Sequence, residues 1–164
     1  MQDTFDSLYE RSQNDATKGI DLYSHIVSRE NILLAYRTIK SNTGSKTAGT
    51  DGLTIEDYKM EDEETFIASI RQTLKNYQPN PVRRVEIPKP NGKTRPLGIP
   101  TVRDRLIQQM FKQVLEPICE AKFHPHSYGF RPNRSTHHAM ARCQFLVNHT
   151  HNHTVVEIDI ELLR

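Results

Sequence analysis

The chain has 164 residues, 35% apolar and 26% charged, with no tryptophan and a formal net charge of +2. That suits one ordinary domain with a real core and excludes a disordered polar tract. The N-terminus carries no apolar signal core, and no run approaches the roughly 20 apolar residues that span a bilayer, so secretion and membrane insertion are not expected. The charge is unevenly spread. Residues 1–30 hold six acids against three bases, whereas residues 82–105 hold seven bases (Arg83, Arg84, Lys89, Lys93, Arg95, Arg103, Arg105) against Glu86 and Asp104. Such a basic stretch favours a polyanion, either nucleic acid or a triphosphate; a solvated charged surface accounts for the same composition. Cys119 and Cys143 both fall in apolar helical patterns. They are expected as buried free thiols, which fits a reducing cytoplasm.

In chain order, residues 1–27 are polar and unpatterned and are expected as an arm or an irregular helix. Ser28 caps a helix over 29–40, with Ile32, Leu33, Tyr36 and Ile39 on one face. A loop through Gly52 follows. The next helix, over 61–77, opens with four acids suited to the positive end of its dipole and is stopped by Pro79 and Pro81. Residues 82–87 and 94–99 read as a two-stranded antiparallel ribbon, with Asn91-Gly92 as a turn in which both central residues take positive φ. Thr101, with Asp104 in a box-like arrangement, caps a long core helix that Pro117 is expected to kink or divide. Its stripe is Val102, Leu106, Ile107, Met110, Val114, Leu115 and Ile118. Ser135 caps a last helix to about residue 147, and residues 155–160 read as a buried strand. The fold class expected is α+β: helices packed around an antiparallel ribbon.

Three clusters of residues carry chemistry. Lys89, Lys93 and Arg95 surround the ribbon tip, where ammonium and guanidinium groups suit a triphosphate. Ser127-Tyr128-Gly129-Phe130-Arg131-Pro132-Asn133-Arg134-Ser135 combines aromatics able to stack on bases with arginines able to grip a backbone. The same loop also reads as aromatics plugging a core while its arginines cap helix ends. Asp159 stands between Ile158 and Ile160, where a carboxylate is costly unless paired or metal-bound, and strand-borne aspartates hold Mg²⁺ in two-metal phosphoryl transfer. An isolated aspartate near a strand end also serves structure alone. His149, His151 and His153 alternate, but their polar neighbours suit an exposed connector better than a metal site.

Read in order, several blocks resemble the reverse transcriptase/maturase proteins encoded by group II introns. They are Ser28-Arg29-Glu30-Asn31, Gly49-Thr50-Asp51-Gly52, the run from Tyr77 through Pro88-Lys89-Pro90-Asn91-Gly92, the run from Arg95 through Arg103-Asp104-Arg105, and Tyr128-Gly129-Phe130-Arg131-Pro132. The resemblance covers about residues 28–160. It implies a polar arm over 1–27, a fingers region over 28–154 and the start of a palm over 155–164. It implies that Lys89 and Arg95 contact the triphosphate of the incoming deoxynucleotide. It further implies that Gly49, Asp51 and Gly52 form a loop over the template. Lys93, Tyr128, Phe130, Arg131 and Arg134 would meet template or RNA, and Asp159 would be the first catalytic, metal-binding aspartate.

The implied parent is an RNA-directed DNA polymerase using Mg²⁺, with RNA template, DNA primer and deoxynucleoside triphosphates as partners. It would also bind its own intron RNA in splicing and retrohoming, in a bacterial cytoplasm. The pattern breaks at Glu161-Leu162-Leu163-Arg164, where the family continues with a short turn, two aromatics and an aspartate. Codons GAG GGC TTC TTC GAC, losing two G bases, read Glu-Leu-Leu-Arg, so a frameshift accounts for the break; a trimmed or fused chain does so equally. With one of three metal carboxylates, the polypeptide is not expected to polymerise alone. A stand-alone RNA-binding remnant is the rival reading.

Overall fold

The computed structural model describes residues 1–58, 62–150 and 154–158. The chain forms two compact units, Met1–Lys122 and Phe123–Arg164.

The first unit is built on one long helix. In chain order it contains α1 (Gln2–Gln13), α2 (Leu22–Ile26), α3 (Arg29–Ser41), a 3₁₀ turn (Thr43–Lys46), α4 (Glu63–Lys75), β1 (Arg83–Pro88), β2 (Thr94–Ile99) and α5 (Val102–Glu120). The α+β class and the antiparallel ribbon are as expected, but α1, α2 and α3 gather on α5 rather than on the ribbon. The cause is patterning. Val102, Leu106, Met110 and Val114 recur at helical spacing on α5, and all are buried with Ile32, Ala35, Tyr36 and Ile39 of α3. Leu115, one position off that stripe, is exposed.

Polar side chains set the register of this packing. Asn31 on α3, wholly buried, donates from Nδ2 to the carbonyls of Ile26 at 2.9 Å and Met110 at 3.1 Å. Its own Oδ1 accepts from Gln113 Nε2 at 2.8 Å. Residues 1–27, expected as an arm or an irregular helix, instead supply α1 and α2. Leu8 is buried, and Ser12 Oγ donates to the Ile118 carbonyl at 3.0 Å, in the last turn of α5 where carbonyls lack intrahelical partners. Lys122 pairs with Asp15 nearby. Pro117 does not divide α5, which carries the proline in its last turn and runs on to Glu120.

Helix boundaries follow their caps. Ser28, Asp62 and Thr101 each accept from the backbone N–H three residues on. Helix α4 begins later and ends earlier than its acidic and apolar residues suggested. Ile67 and Ile70 are buried, while Tyr77 lies beyond the helix and turns its hydroxyl to Asp104.

The ribbon pairs Arg83 with Ile99, Val85 with Leu97, Ile87 with Arg95 and Pro88 with Thr94. Its turn differs from expectation. Gly92 N donates to the Lys89 carbonyl at 3.0 Å, Lys89 N donates to the Lys93 carbonyl, and Gly92 has φ +77° while Asn91 stays at negative φ. That is a three-residue turn with Pro90 at the favoured second position and Gly92 in the left-handed bulge, in place of a two-residue Asn-Gly turn.

The root of the ribbon is fastened by Asp104, which is 2% exposed. It accepts from Tyr77 Oη at 2.7 Å, from Asn80 N and Nδ2 at 3.2 Å each, and from Thr101 Oγ1 at 2.7 Å. Tyr77 and Asn80 precede β1, and Thr101 follows β2, so one carboxylate ties both ends of the hairpin to the start of α5. Burial pushes the Asp104 pKa up, but the hydrogen bonds from Thr101, Tyr77 and Asn80 together outweigh it and hold the group below the ordinary aspartate value. Burial first, then the bond to Asp104 and its charge, push the Tyr77 hydroxyl up to about 12.

The second unit has a loop over 123–135 and one helix, α6 (Thr136–His149), capped by Ser135. No residue of α6 is buried. Two expectations fail with it. Cys143 on α6 and Cys119 near the end of α5 are free but exposed, because neither points into a packed face. Thr154 and the residues to Ile158 form no strand, and Val155, Val156 and Ile158 are exposed; a strand needs a neighbour to pair with, and none adjoins them among the described residues. Asp159 and Ile160 lie outside the described residues.

Two consequences are measurable. A Cβ on Gly49 falls 2.6 Å from the Thr101 Cα, so Gly49→Ala is expected to cost about 1–3 kcal/mol in urea unfolding. An unchanged midpoint would mean the loop does not rest on Thr101. Stability from Asp104 is complete above the ordinary aspartate value of 3.8 and is lost as pH falls through its lower folded value. Stability from Tyr77 is complete below its ordinary value of 10.0 and is lost as pH rises towards about 12. Tyr77→Phe is therefore expected to reduce the alkaline loss of stability in that window relative to the unsubstituted chain, while leaving the loss in acid. Identical alkaline curves for the two proteins would sink the Tyr77–Asp104 assignment.

Candidate functional site

Strand alternation decides what the ribbon presents. Directly paired residues share a face, so Arg83, Val85 and Ile87 lie with Ile99, Leu97 and Arg95. The closing pair Lys89 and Lys93 continues that same face at the tip. The three cations singled out in the sequence therefore stand together, beside an apolar floor. All three are exposed, and none has a side-chain hydrogen bond or ion pair among the described residues. The opposite face carries Arg84, but Glu86 holds it at 2.9 Å. The turn is braced by its backbone bonds and by Lys93 N donating to Asn91 Oδ1 at 3.2 Å.

The Gly49-Thr50-Asp51-Gly52 loop is laced to the ribbon root. Arg83 Nε donates to the Ala48 carbonyl at 3.0 Å, and Thr50 Oγ1 to the Pro81 carbonyl at 2.9 Å. Arg105 on α5 reaches back from Nη1 to the Gly44 carbonyl at 2.8 Å and from Nη2 to the Thr47 carbonyl at 2.5 Å. Gly49 is buried, whereas Asp51 and Gly52, the latter at φ +74°, are exposed. Six-residue strands at roughly 3.3 Å per residue put about 20 Å between root and tip, so this loop does not meet Lys89, Lys93 and Arg95. Sequence reasoning missed Arg83 and Arg105 as the fasteners. Their acceptors are backbone carbonyls distant in the chain, which leave no residue-type signal.

In the second unit the two loop arginines organise their own loop. Arg131 Nη1 donates to the carbonyls of His124 at 2.9 Å and Ser127 at 3.0 Å, with its guanidinium 5.1 Å from the Phe123 ring. Arg134 Nη1 donates to the Pro125 carbonyl at 3.0 Å and lies 5.6 Å from the Tyr128 ring. Tyr128 is half-buried, but Phe130 plugs no core. It is fully exposed, with φ +55°, a left-handed conformation that a bulky residue holds only when its surroundings impose it. Arginines thus stiffen a loop that displays a bare aromatic ring.

Asp159, His151 and His153 lie outside the described residues. Among the described residues no three His, Cys, Asp or Glu side chains are grouped to hold a metal, and no helix is long and apolar enough to cross a membrane.

Comparison with known proteins agrees with these features. The reverse transcriptase (RNA-dependent DNA polymerase) family matches residues 87–162, from the ribbon onward. Protein YkfC of Escherichia coli is 47% identical over 110 residues, 65% of this chain and 28% of that protein. The group II intron-encoded protein LtrA of Lactococcus lactis is 37% identical over 140 residues, 82% of this chain and 23% of its own length. A 91 kDa protein in the cob intron of Schizosaccharomyces pombe is 38% identical over 138 residues, 82% of this chain and 17% of its own. The chain spans about a quarter of the length of the first two. With the reverse transcriptase match running from the end of β1 to residue 162, and intron-encoded relatives 37% and 38% identical over 82% of the chain, the chain belongs to the reverse transcriptases encoded by group II introns.

Proposed function

We propose that this chain is the fingers region, residues 28–154, and the opening of the palm, residues 155–164, of an RNA-directed DNA polymerase that also serves its intron RNA as a maturase. The observation that carries the reading is the ribbon face. Lys89, Lys93 and Arg95 stand together without protein partners among the described residues, beside Val85, Ile87 and Leu97. A deoxynucleoside triphosphate has that same division, a polyanion joined to a flat, less polar base. Lys89 offers a compact charge and Arg95 a bidentate fork to the phosphates, while Lys93 at the turn suits the template backbone.

The loop at Gly49, Asp51 and Gly52 is assigned to the template, which it would cover from a rigid mount. Tyr128, Phe130, Arg131 and Arg134 are assigned to the RNA template and DNA primer. Arg131 does so through the loop shape it maintains, and Phe130 by stacking on a base.

Reverse transcriptases use divalent metal, and nucleic acid is their partner. We assign Mg²⁺ as the ion and Asp159 as its first ligand in the intact enzyme, where the ion would activate the attacking hydroxyl. Among the described residues no group of ligands is assembled to hold the ion. The role of this chain's own residues is to bind and orient the triphosphate before the chemistry. The protein would act in a bacterial cytoplasm.

The test is primer extension by an intact polymerase carrying this segment. Lys89→Ala with Arg95→Ala is expected to raise the nucleotide KM by tenfold or more, since each lost charge-assisted bond is worth about 1.5 kcal/mol. Both residues are exposed, so the ribbon should still form. An unchanged nucleotide KM would refute the triphosphate assignment.

A further inference from the structure

Residues 121–156 contain no aspartate or glutamate. Within residues 123–150 there are three arginines, at 131, 134 and 142, and five histidines, at 124, 126, 137, 138 and 149. With neutral histidines the arginines give this stretch +3, and full protonation of the histidines raises it to +8.

The geometry concentrates this charge. The rings of His124 and His126 lie 5.4 Å apart, and His126 N donates to His124 Nδ1 at 3.2 Å, which fixes the outer N–H of His124 at Nε2. Arg134 is fastened beside them through the Pro125 carbonyl. From α6, Arg142 stacks on Phe145 at 5.1 Å, and its Nε is buried with no acceptor among the described residues.

We propose that His124, His126, Arg134 and Arg142 form a phosphate-binding site for the backbone of single-stranded RNA, and that binding there is tightened by proton uptake on His126. The proposal rests on the nucleic-acid reading above and names the part of the ligand this unit holds. The groups facing His126 are Arg142 of α6 and His124 and Arg134 of the loop. Loss of hydration first, and then the charges of Arg142, His124 and Arg134, hold the pKa of His126 below the ordinary histidine value. A phosphate among those cations reverses the balance. It neutralises the arginines and favours the imidazolium, so the site takes up a proton as it takes up the anion. His124 accepts a bond at Nδ1 and presents Nε2 as its outer donor.

The test uses the whole 164-residue chain and fluorescent oligouridylate, with binding followed by anisotropy across a salt series at about pH 8 and about pH 6, either side of the ordinary histidine pKa. The slope of log K against log salt is expected to steepen at the lower pH by about 0.7, one phosphate on a single strand. His126→Gln, an exposed and conservative change, should abolish that difference between the two slopes. Equal slopes at the two pH values in the unsubstituted chain, or a full pH effect surviving in His126→Gln, overturn the proposal and leave the nucleic-acid reading standing. No RNA binding at either pH overturns both.

Discussion

One buried carboxylate holds the functional half of the first unit in place. A two-stranded ribbon has little stability of its own in water, because each strand has one partner and neither face is covered. Here the strand ends are drawn together at Asp104, through Tyr77 and Asn80 on the entering side and Thr101 on the leaving side. Removing a carboxylate from water is costly, and only a full set of donors offsets that cost. Four donors converge on the Asp104 carboxylate, and its own backbone N–H donates in turn to Thr101 Oγ1, so the hairpin root has one low-energy geometry. The loop from Gly44 to Gly52 depends on the same point, since Gly49 rests on the backbone of Thr101.

Helix α5 connects this mount to the core. Its N-terminal turn carries Asp104, its middle carries Met110 and Gln113, and its last turn receives Ser12. Apolar burial along α5 supplies most of the stability but is indifferent to sliding by a turn. The bonds of Asn31 to Met110 and Gln113 are not, because a shifted helix leaves a buried amide without partners. Packing thus gives the first unit its cohesion, and a few polar contacts give it a register.

The elements were legible in the sequence where periodicity and caps agreed. Ser28, Thr101 and Ser135 mark helix starts by short polar side chains that need only their own next turn, and Asn91-Gly92 marks the reversal. The turn type was not legible, because Pro90 and Asn91-Gly92 favour competing geometries and the backbone chose the one Pro90 prefers. Helix α1 was hidden by its polar composition; its burial comes from a few residues, Leu8 and Ser12 among them, whose partners lie more than a hundred residues away on α5. The clustering of Lys89, Lys93 and Arg95 was legible as charge but not as a face, which required the strand register. The sequence leaves Arg131 and Arg134 equally suited to grip nucleic acid or to cap helix ends; in the structure both donate to carbonyls of their own loop, a use of arginine that composition does not distinguish.

The tip of the ribbon shows that local stability and function pull apart. Lys89 and Lys93 are opposite members of a closing antiparallel pair, with Arg95 two residues along the same face, an arrangement of like charges that weakens a ladder. Among the described residues no acid stands with them; Glu86, the acid on the ribbon, is turned to the other face and already holds Arg84. A structure selected for the ribbon's own stability would place a carboxylate opposite one of these lysines. Instead Pro90 and Gly92 fix the turn, and Asp104 fixes the root, so that three mutually repelling cations remain in position. Their repulsion falls when a polyanion lies across them, and the ligand then supplies the charge balance that the chain withholds.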